Sequence, residues 1–249
     1  MAHDHMRSTN LFNKVVITAL VCELTLVAIY WIDVLTGGHF QMLHSLFDLD
    51  SEGNIPAWFS SSQLLCVAIT FWSCAFGKRR ALKPSKLFFA LAGFGALYAS
   101  SDETAQIHER ITALMGQRYV DWLPSYAAHN FLLVMIAVAL LLTVCQLLAD
   151  DLILFWKNHR TSAVLTICGI AIALTGGMGV ETLGYKLFQG HTESILYKVE
   201  VSVEEFMEMF GATLVLAGAL KLRLQKTSVS VVVRSRTSGF RPAAFQRQG

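Results

Sequence analysis

The chain has 249 residues, 54% hydrophobic and 15% charged, with a formal net charge of +2 and a mean hydropathy of +0.49. An average soluble domain carries about 25% charged residues, so the composition argues against a water-exposed globular fold and makes lipid the bulk solvent. The five cysteines, Cys22, Cys66, Cys74, Cys145 and Cys168, all fall in apolar segments without a C-x-x-C pair, which speaks against a disulfide framework or a thiolate metal site.

In chain order, residues 1–13 form a short N-terminal segment, and the first apolar run covers 14–35. It is longer than the core of a signal peptide, about 7–15 residues, and no small-residue cleavage site follows it. It is therefore expected to remain as a membrane anchor. Five further segments reach the length of about 20 residues that a spanning helix needs: 57–77, 86–106, 123–148, 162–187 and 201–222. The expected fold is all-α, a polytopic membrane bundle of six transmembrane helices over 14–224, with no internal repeat and no second domain. Residues 225–249, rich in Arg, Ser and Gln, read as a disordered basic cytoplasmic tail that could touch anionic lipid headgroups. Nothing in the tail calls for nucleic-acid binding.

Basic residues orient this bundle. With the N-terminus inside, 16 of the 20 Lys and Arg fall on the inner side; only Arg110, Arg118, Lys186 and Lys198 fall outside. The positive-inside rule then places both termini in the cytoplasm. The acids divide the other way: 14 of 18 lie in outer loops or outer helix ends, leaving Asp4, Asp150 and Asp151 inside and Glu23 midway along the first span. Carboxylates contribute little to topology, so their asymmetry needs a cause of its own.

Three acidic stretches stand out. The first outer loop, F-D-L-D-S-E-G-N-I-P, places Asp48, Asp50, Glu52 and Gly53 as in the first half of a calcium loop. The closing acid is missing, because position twelve is Phe59. The loop reads either as an acidic turn ended by Pro56 or as a lender of oxygens to a cation held by the helices. The second stretch, S-S-D-E-T-A-Q-I-H-E-R, closes the third span. Continued as a helix, it sets Asp102, Gln106 and Glu109 on one stripe and Ser101, Thr104 and His108 on another. The third, E-V-S-V-E-E-F-M-E-M-F-G, opens the sixth span and stacks Glu200, Glu204 and Glu208 on one face, with Glu205 beside Glu208. Glu208 lies eight residues beyond Glu200, about 12 Å of helix rise, which is too deep for a solvated face to explain. His129 in the fourth span and Glu181 in the fifth, after the glycine-rich run Gly176–Gly179, reach a similar depth.

Carboxylates and imidazoles from several helices at one level are how metal sites in bundles are built. The metal ligands expected on this reading are His108, His129, Glu181, Glu205 and Glu208. Glu103 or Glu109 would serve as catalytic base, with Asp102 and Glu204 holding the ligands in place. Oxygen and nitrogen donors suit Zn, Fe or Mn, and a carboxylate-rich set suits Ca. The H-E-x-x-H motif fails because residue 112 is Thr, and neither acidic stretch carries the Glu-x-x-His pair of di-iron bundles.

The blocks F-D-L-D-S-E-G-N-I-P-A-W-F-S-S, S-D-E-T-A-Q-I-H-E-R and E-E-F-M-E-M-F-G resemble, in that order, those of a group of uncharacterised bacterial multi-pass membrane proteins. The resemblance implies a bacterial origin and a place in the plasma membrane, and carries no activity. Membrane hydrolases of the ceramidase type hold zinc through an H-x-x-x-H pair, which no apolar span here contains. Three functions stay open: a metal-dependent membrane enzyme acting on a lipid or small amphiphile near the outer face, a cation- or proton-coupled transporter, and a non-catalytic subunit of a membrane complex. Oligomeric state is not legible.

Overall fold

The structure, a computed structural model, describes residues 2–77, 84–107, 110–111, 138–140, 142–188 and 191–238. Among these residues every regular element is a helix. In order they are α1 (Ala2–Leu35), α2 (Gln41–Phe47), α3 (Ile55–Ala75), α4 (Lys86–Ala105), α5 (Ala149–Asn158), α6 (Arg160–Leu174), a π-helical turn (Thr175–Val180), α7 (Glu181–Phe188) and α8 (Ile195–Ser238). A further helical stretch, Val138–Leu147, precedes α5 and meets it at a bend of 71°.

Three helical segments are long and apolar enough to cross a membrane: Thr9–Leu35, Ile55–Ala75 and Arg160–Val180. The bent pair Val138–Leu147 and Ala149–Asn158 makes a fourth if taken as one span. The expected third and sixth spans are helices of sufficient length, α4 with 20 residues and α8 with 44. They fall short in apolarity because Asp102 and Glu103 end one and Glu204, Glu205 and Glu208 interrupt the other. Helix α8 also runs on through residues 225–238, which sequence reasoning had assigned to the disordered tail. The stretch V-S-V-V-V is β-branched and a weak helix former, and nothing in the structure explains why it stays helical.

Local chemistry sets the helix ends near the site. Asn54 caps α3, its Oδ1 accepting from the backbone N–H of Ala57 at 3.2 Å, and Pro56 occupies the first turn, where its missing N–H costs nothing. Ser85 caps α4, its Oγ accepting from the N–H of Phe88 at 3.1 Å. The Ser85 N–H in turn donates to Asp151 Oδ1 at 2.7 Å, and its hydroxyl donates to Asp151 Oδ2. A carboxylate at a helix N-terminus is the favourable sign of charge.

At its other end α4 stops at Ala105, and Gln106 adopts a left-handed conformation with φ 49°. This corrects the expectation of an unbroken helix through 100–110. No glycine or proline marks the break in sequence, and His108 and Glu109 beyond it lie outside the described residues.

Close backbone approach holds the helices together. Helix α6 crosses α8 through glycine: a Cβ at Gly211 would lie 2.6 Å from the carbonyl oxygen of Gly169, and a Cβ at Gly169 would lie 2.6 Å from that of Gly211. Small residues at a crossing let backbones approach where apolar burial supplies no drive between helices. Helices α3 and α4 pack antiparallel. Gly93 leaves room for the Trp72 ring, whose Nε1 donates to Ala90 O at 3.2 Å. Near the other end of the pair, Ser61 Oγ donates to Ser100 O at 2.7 Å and Ser100 Oγ to Ser61 O at 2.8 Å. A cluster of Val67, Phe71, Phe88, Phe89, Phe155, Leu216 and Leu222 fills the end where Lys86 and Lys221 sit. A smaller one, Tyr30, Leu49 and Val201, underlies the acidic loop at the opposite end.

Candidate functional site

The acidic end of the bundle holds a pocket of about 160 Å³ lined by six carboxylate side chains from three parts of the chain. Glu52 comes from the loop before α3, Asp102 and Glu103 from the last turn of α4, and Glu204, Glu205 and Glu208 from α8. Leu49, Pro56, Ala57 and Gly177 supply apolar and backbone surface. The reciprocal Ser61–Ser100 hydrogen bonds described above set the end of α4 beside the start of α3, and so bring Asp102 and Glu103 to the loop. The π-helical turn closes the side formed by α8. A Cβ at Gly176 would lie 2.9 Å from Glu204 O and 3.4 Å from Glu208 Cγ, and one at Gly177 would collide with the Glu208 carboxylate. The glycines thus let Glu208 lie flat against the π-turn. Such turns recur at functional sites because they re-aim backbone groups within a helix.

The three acids of the loop are put to different uses. Asp48 shapes the turn: its Oδ1 accepts from Asp50 N–H at 3.3 Å and its carbonyl accepts from the Asn54 amide. Gly53, at φ 77°, takes the left-handed position that a side chain would resist. Asp50 ties the loop to α8, accepting from the Tyr197 hydroxyl at 2.7 Å. Glu52 faces the pocket. Burial pushes the Asp50 carboxyl above its ordinary value although part of its surface reaches solvent; the Tyr197 hydrogen bond pulls the other way, and the charge of Asp48 adds to the rise. Burial likewise raises the Tyr197 phenol, reinforced by its hydrogen bond to Asp50.

Of the residues expected to form a site, Asp102, Glu103, Glu204, Glu205, Glu208 and Glu52 line this one pocket. Asp48 and Asp50 stand outside it, in the turn above. Glu200 parts from the other acids of its helix face, since its carboxylate covers Gly184 of α7. His108, Glu109 and His129 lie outside the described residues, and of Glu181 only the backbone, at the start of α7, is described. Among the described residues no three His, Cys, Asp or Glu side chains are grouped so as to hold a metal ion.

A second polar group lies inside the bundle, around the Glu23 that the sequence places midway along the first span, with the partners Gln63 and Thr213 that it did not reveal. Glu23 of α1 is fully buried. Its Oε1 accepts from Gln63 Nε2 of α3 at 2.8 Å and from the Thr213 hydroxyl of α8 at 2.6 Å. Gln63 Nε2 also donates to Thr213 Oγ1 at 2.8 Å. Gln63, the one amide side chain in α3, is the available signal. A Gln within a membrane-length helix is costly unless a partner waits on another helix.

The family described as Domain of unknown function (DUF8692) matches residues 15–222, and the chain belongs to that family. No curated protein and no solved structure matches the chain.

Proposed function

We propose that this member of the family is a multi-pass membrane protein of the bacterial plasma membrane that takes up cations from the outer solution and couples their movement to transport. The observation that carries the reading is the convergence of six carboxylates on one small pocket. Carboxylates held together repel one another, and each is stabilised by any proton or metal ion that enters. A cleft lined by one sign of charge also concentrates the opposite ion.

Several features support a membrane setting. The apolar helices turn much of their surface outward: Ile17, Val21, Leu24 and Ile32 on α1 and Ile167 and Leu174 on α6 are all more than half exposed. Patches of that extent call for lipid or a partner. The basic asymmetry favours termini inside and the pocket outside. The π-turn interrupts an apolar helix beside the acids, in the manner of the broken helices that carry ion sites in transporters. A metal-dependent enzyme using the same pocket is the second reading: the acids completed by His108, His129 and Glu181 would make an oxygen and nitrogen donor set that suits Zn, Fe or Mn.

Binding is the first test. A cation that binds only the folded state stabilises it by about 2.7 kcal/mol at a hundredfold excess over its Kd. Detergent-purified protein should therefore unfold at higher temperature on addition of the cation it takes up, screened among H⁺, Na⁺, Ca²⁺ and Mn²⁺. Glu205→Gln/Glu208→Gln should lose the response. Equal responses in both proteins would remove the basis of the reading.

A further inference from the structure

We propose that Glu23 is a proton-carrying site inside the bundle, with the proton held on Oε2. The argument is a count of donors and acceptors. The Glu23, Gln63 and Thr213 side chains bring three donor hydrogens, two on the Gln63 amide and one on the Thr213 hydroxyl. All three are engaged, two of them on Glu23 Oε1. Glu23 Oε2 and Gln63 Oε1 are left buried with no hydrogen-bond partner. A fully buried carboxylate oxygen without a donor is among the most costly arrangements a protein interior can hold. One added proton on Oε2 removes the charge and supplies the donor that the group lacks.

Among the described residues, the helices around Glu23 offer no charged partner to neutralise it. Helix α3 carries no charged residue between Ile55 and Ala75. Along α1 the nearest charged residues are Lys14, nine positions before Glu23, and Asp33, ten after; along α8 they are Glu208, five before Thr213, and Lys221, eight after. Helix α6, packed on the far side of α8, carries only Arg160 at its start. The thiols on these helices near this level, Cys22 beside Glu23 and Cys66 three positions after Gln63, are not its hydrogen-bond partners. A metal ion fits less well than a proton. The oxygens and nitrogen of the group stand 2.6–2.8 Å apart, which is hydrogen-bond spacing. An ion with ligands at about 2.0 Å or more would have to spread them.

The site deepens the transport reading without depending on it. Thr213 follows Glu208 by five residues on α8, about 7.5 Å of rise. Among the described residues Glu23 therefore lies inward of the pocket as a proton acceptor once its own proton has left: a proton then moving to it leaves one pocket acid as carboxylate and makes Glu23 the neutral acid again.

Infrared spectroscopy of the purified full-length protein reads this directly, because a protonated carboxyl has a C=O stretch that an ionised one lacks. The wild type should show the band of a buried carboxylic acid, and Glu23→Gln should lack that component. Gln is isosteric and brings its own donor to the Oε2 position, so the fold should tolerate it. Thr213→Val keeps the carboxyl and removes one hydrogen bond to it, and should shift the same component without abolishing it. An unchanged carboxylic-acid region in Glu23→Gln would overturn the proposal. So would carboxylate bands that respond to sodium in the wild type and not in Glu23→Gln, which would make the occupant a metal ion. A band that survives in Glu205→Gln/Glu208→Gln while the cation response of the pocket disappears would separate the two proposals.

Discussion

Replacing Gly211 with Ala should force α6 away from α8. The added Cβ would meet Gly169 O at 2.6 Å and the Ala173 Cβ and N at 2.8 Å, against 3.4 Å for ordinary contact. Two of these atoms are backbone and cannot rotate away, so the helices must part by about 0.8 Å, the difference between 3.4 and 2.6 Å. A gap of about 0.5–1 Å forfeits roughly a quarter to a half of each dispersion contact along a crossing, and overpacking of this kind costs about 1–3 kcal/mol. Alanine also favours the helix over glycine by about 1 kcal/mol, which would mask part of the loss. Gly95 of α4 provides the control, since a Cβ there meets nothing within 4 Å. Gly95→Ala gains the same propensity term without the clash, so the two variants should differ by about 1–3 kcal/mol, Gly211→Ala being the weaker. Equilibrium unfolding in mixed micelles, followed by far-UV circular dichroism, gives that difference. A Gly211→Ala protein as stable as Gly95→Ala would refute the close crossing, and with it the path by which α6 sets the π-turn against Glu204 and Glu208.

Three further outcomes follow from local geometry. Asn54→Ala removes the cap of α3 and the amide that holds the carbonyls of Asp48 and Ser51. It should cost about 1–2 kcal/mol and, measured by thermal shift, weaken the cation response through Glu52. Gln106→Gly relieves a left-handed residue at φ 49° and should stabilise by about 1 kcal/mol; a loss of stability in the same unfolding assay would mean that the Gln106 side chain matters more than its backbone. The Asp50 carboxyl lies above its ordinary value of 3.8, so its neutral form is the one the fold prefers. Its contribution is complete at pH below that value and is lost as pH rises through the raised one. Unfolding midpoints of wild type and Asp50→Asn, compared from acid to neutral pH, should shift in favour of the variant as pH rises; a shift toward the wild type would reverse the sign of the argument.

Much of the scaffold was legible in the sequence because apolar length is a one-dimensional property. The segments at 14–35 and 57–77, and that at 162–187 as far as Val180, coincide with helical stretches apolar enough to span. The run Gly176–Gly179 drew notice for its glycines, and the structure gives the physical use of Gly176 and Gly177: Glu204 and Glu208 approach too closely there for a Cβ. Rotation of one helix about its axis relative to the next leaves a fainter trace in sequence. Depth counting alone could not show that Glu200 turns to Gly184 while Glu204, Glu205 and Glu208 share the pocket. Nor could it pair Glu23 with Gln63 and Thr213, which are 40 and 190 positions away. The break at Gln106 escaped because a left-handed glutamine carries no compositional mark, whereas the 71° bend before α5 lies at Leu148, where the fourth apolar segment ends and Asp150 and Asp151 follow.

The most direct test of cation-coupled transport is flux. Protein reconstituted into liposomes holding a pH-sensitive dye, with a potassium diffusion potential imposed by valinomycin, should take up protons, or the cation identified by thermal shift, faster than protein-free liposomes. Glu205→Gln/Glu208→Gln should return the rate to that of the empty vesicles. Wild-type vesicles no faster than empty ones, or a variant as fast as wild type, would contradict the transport account.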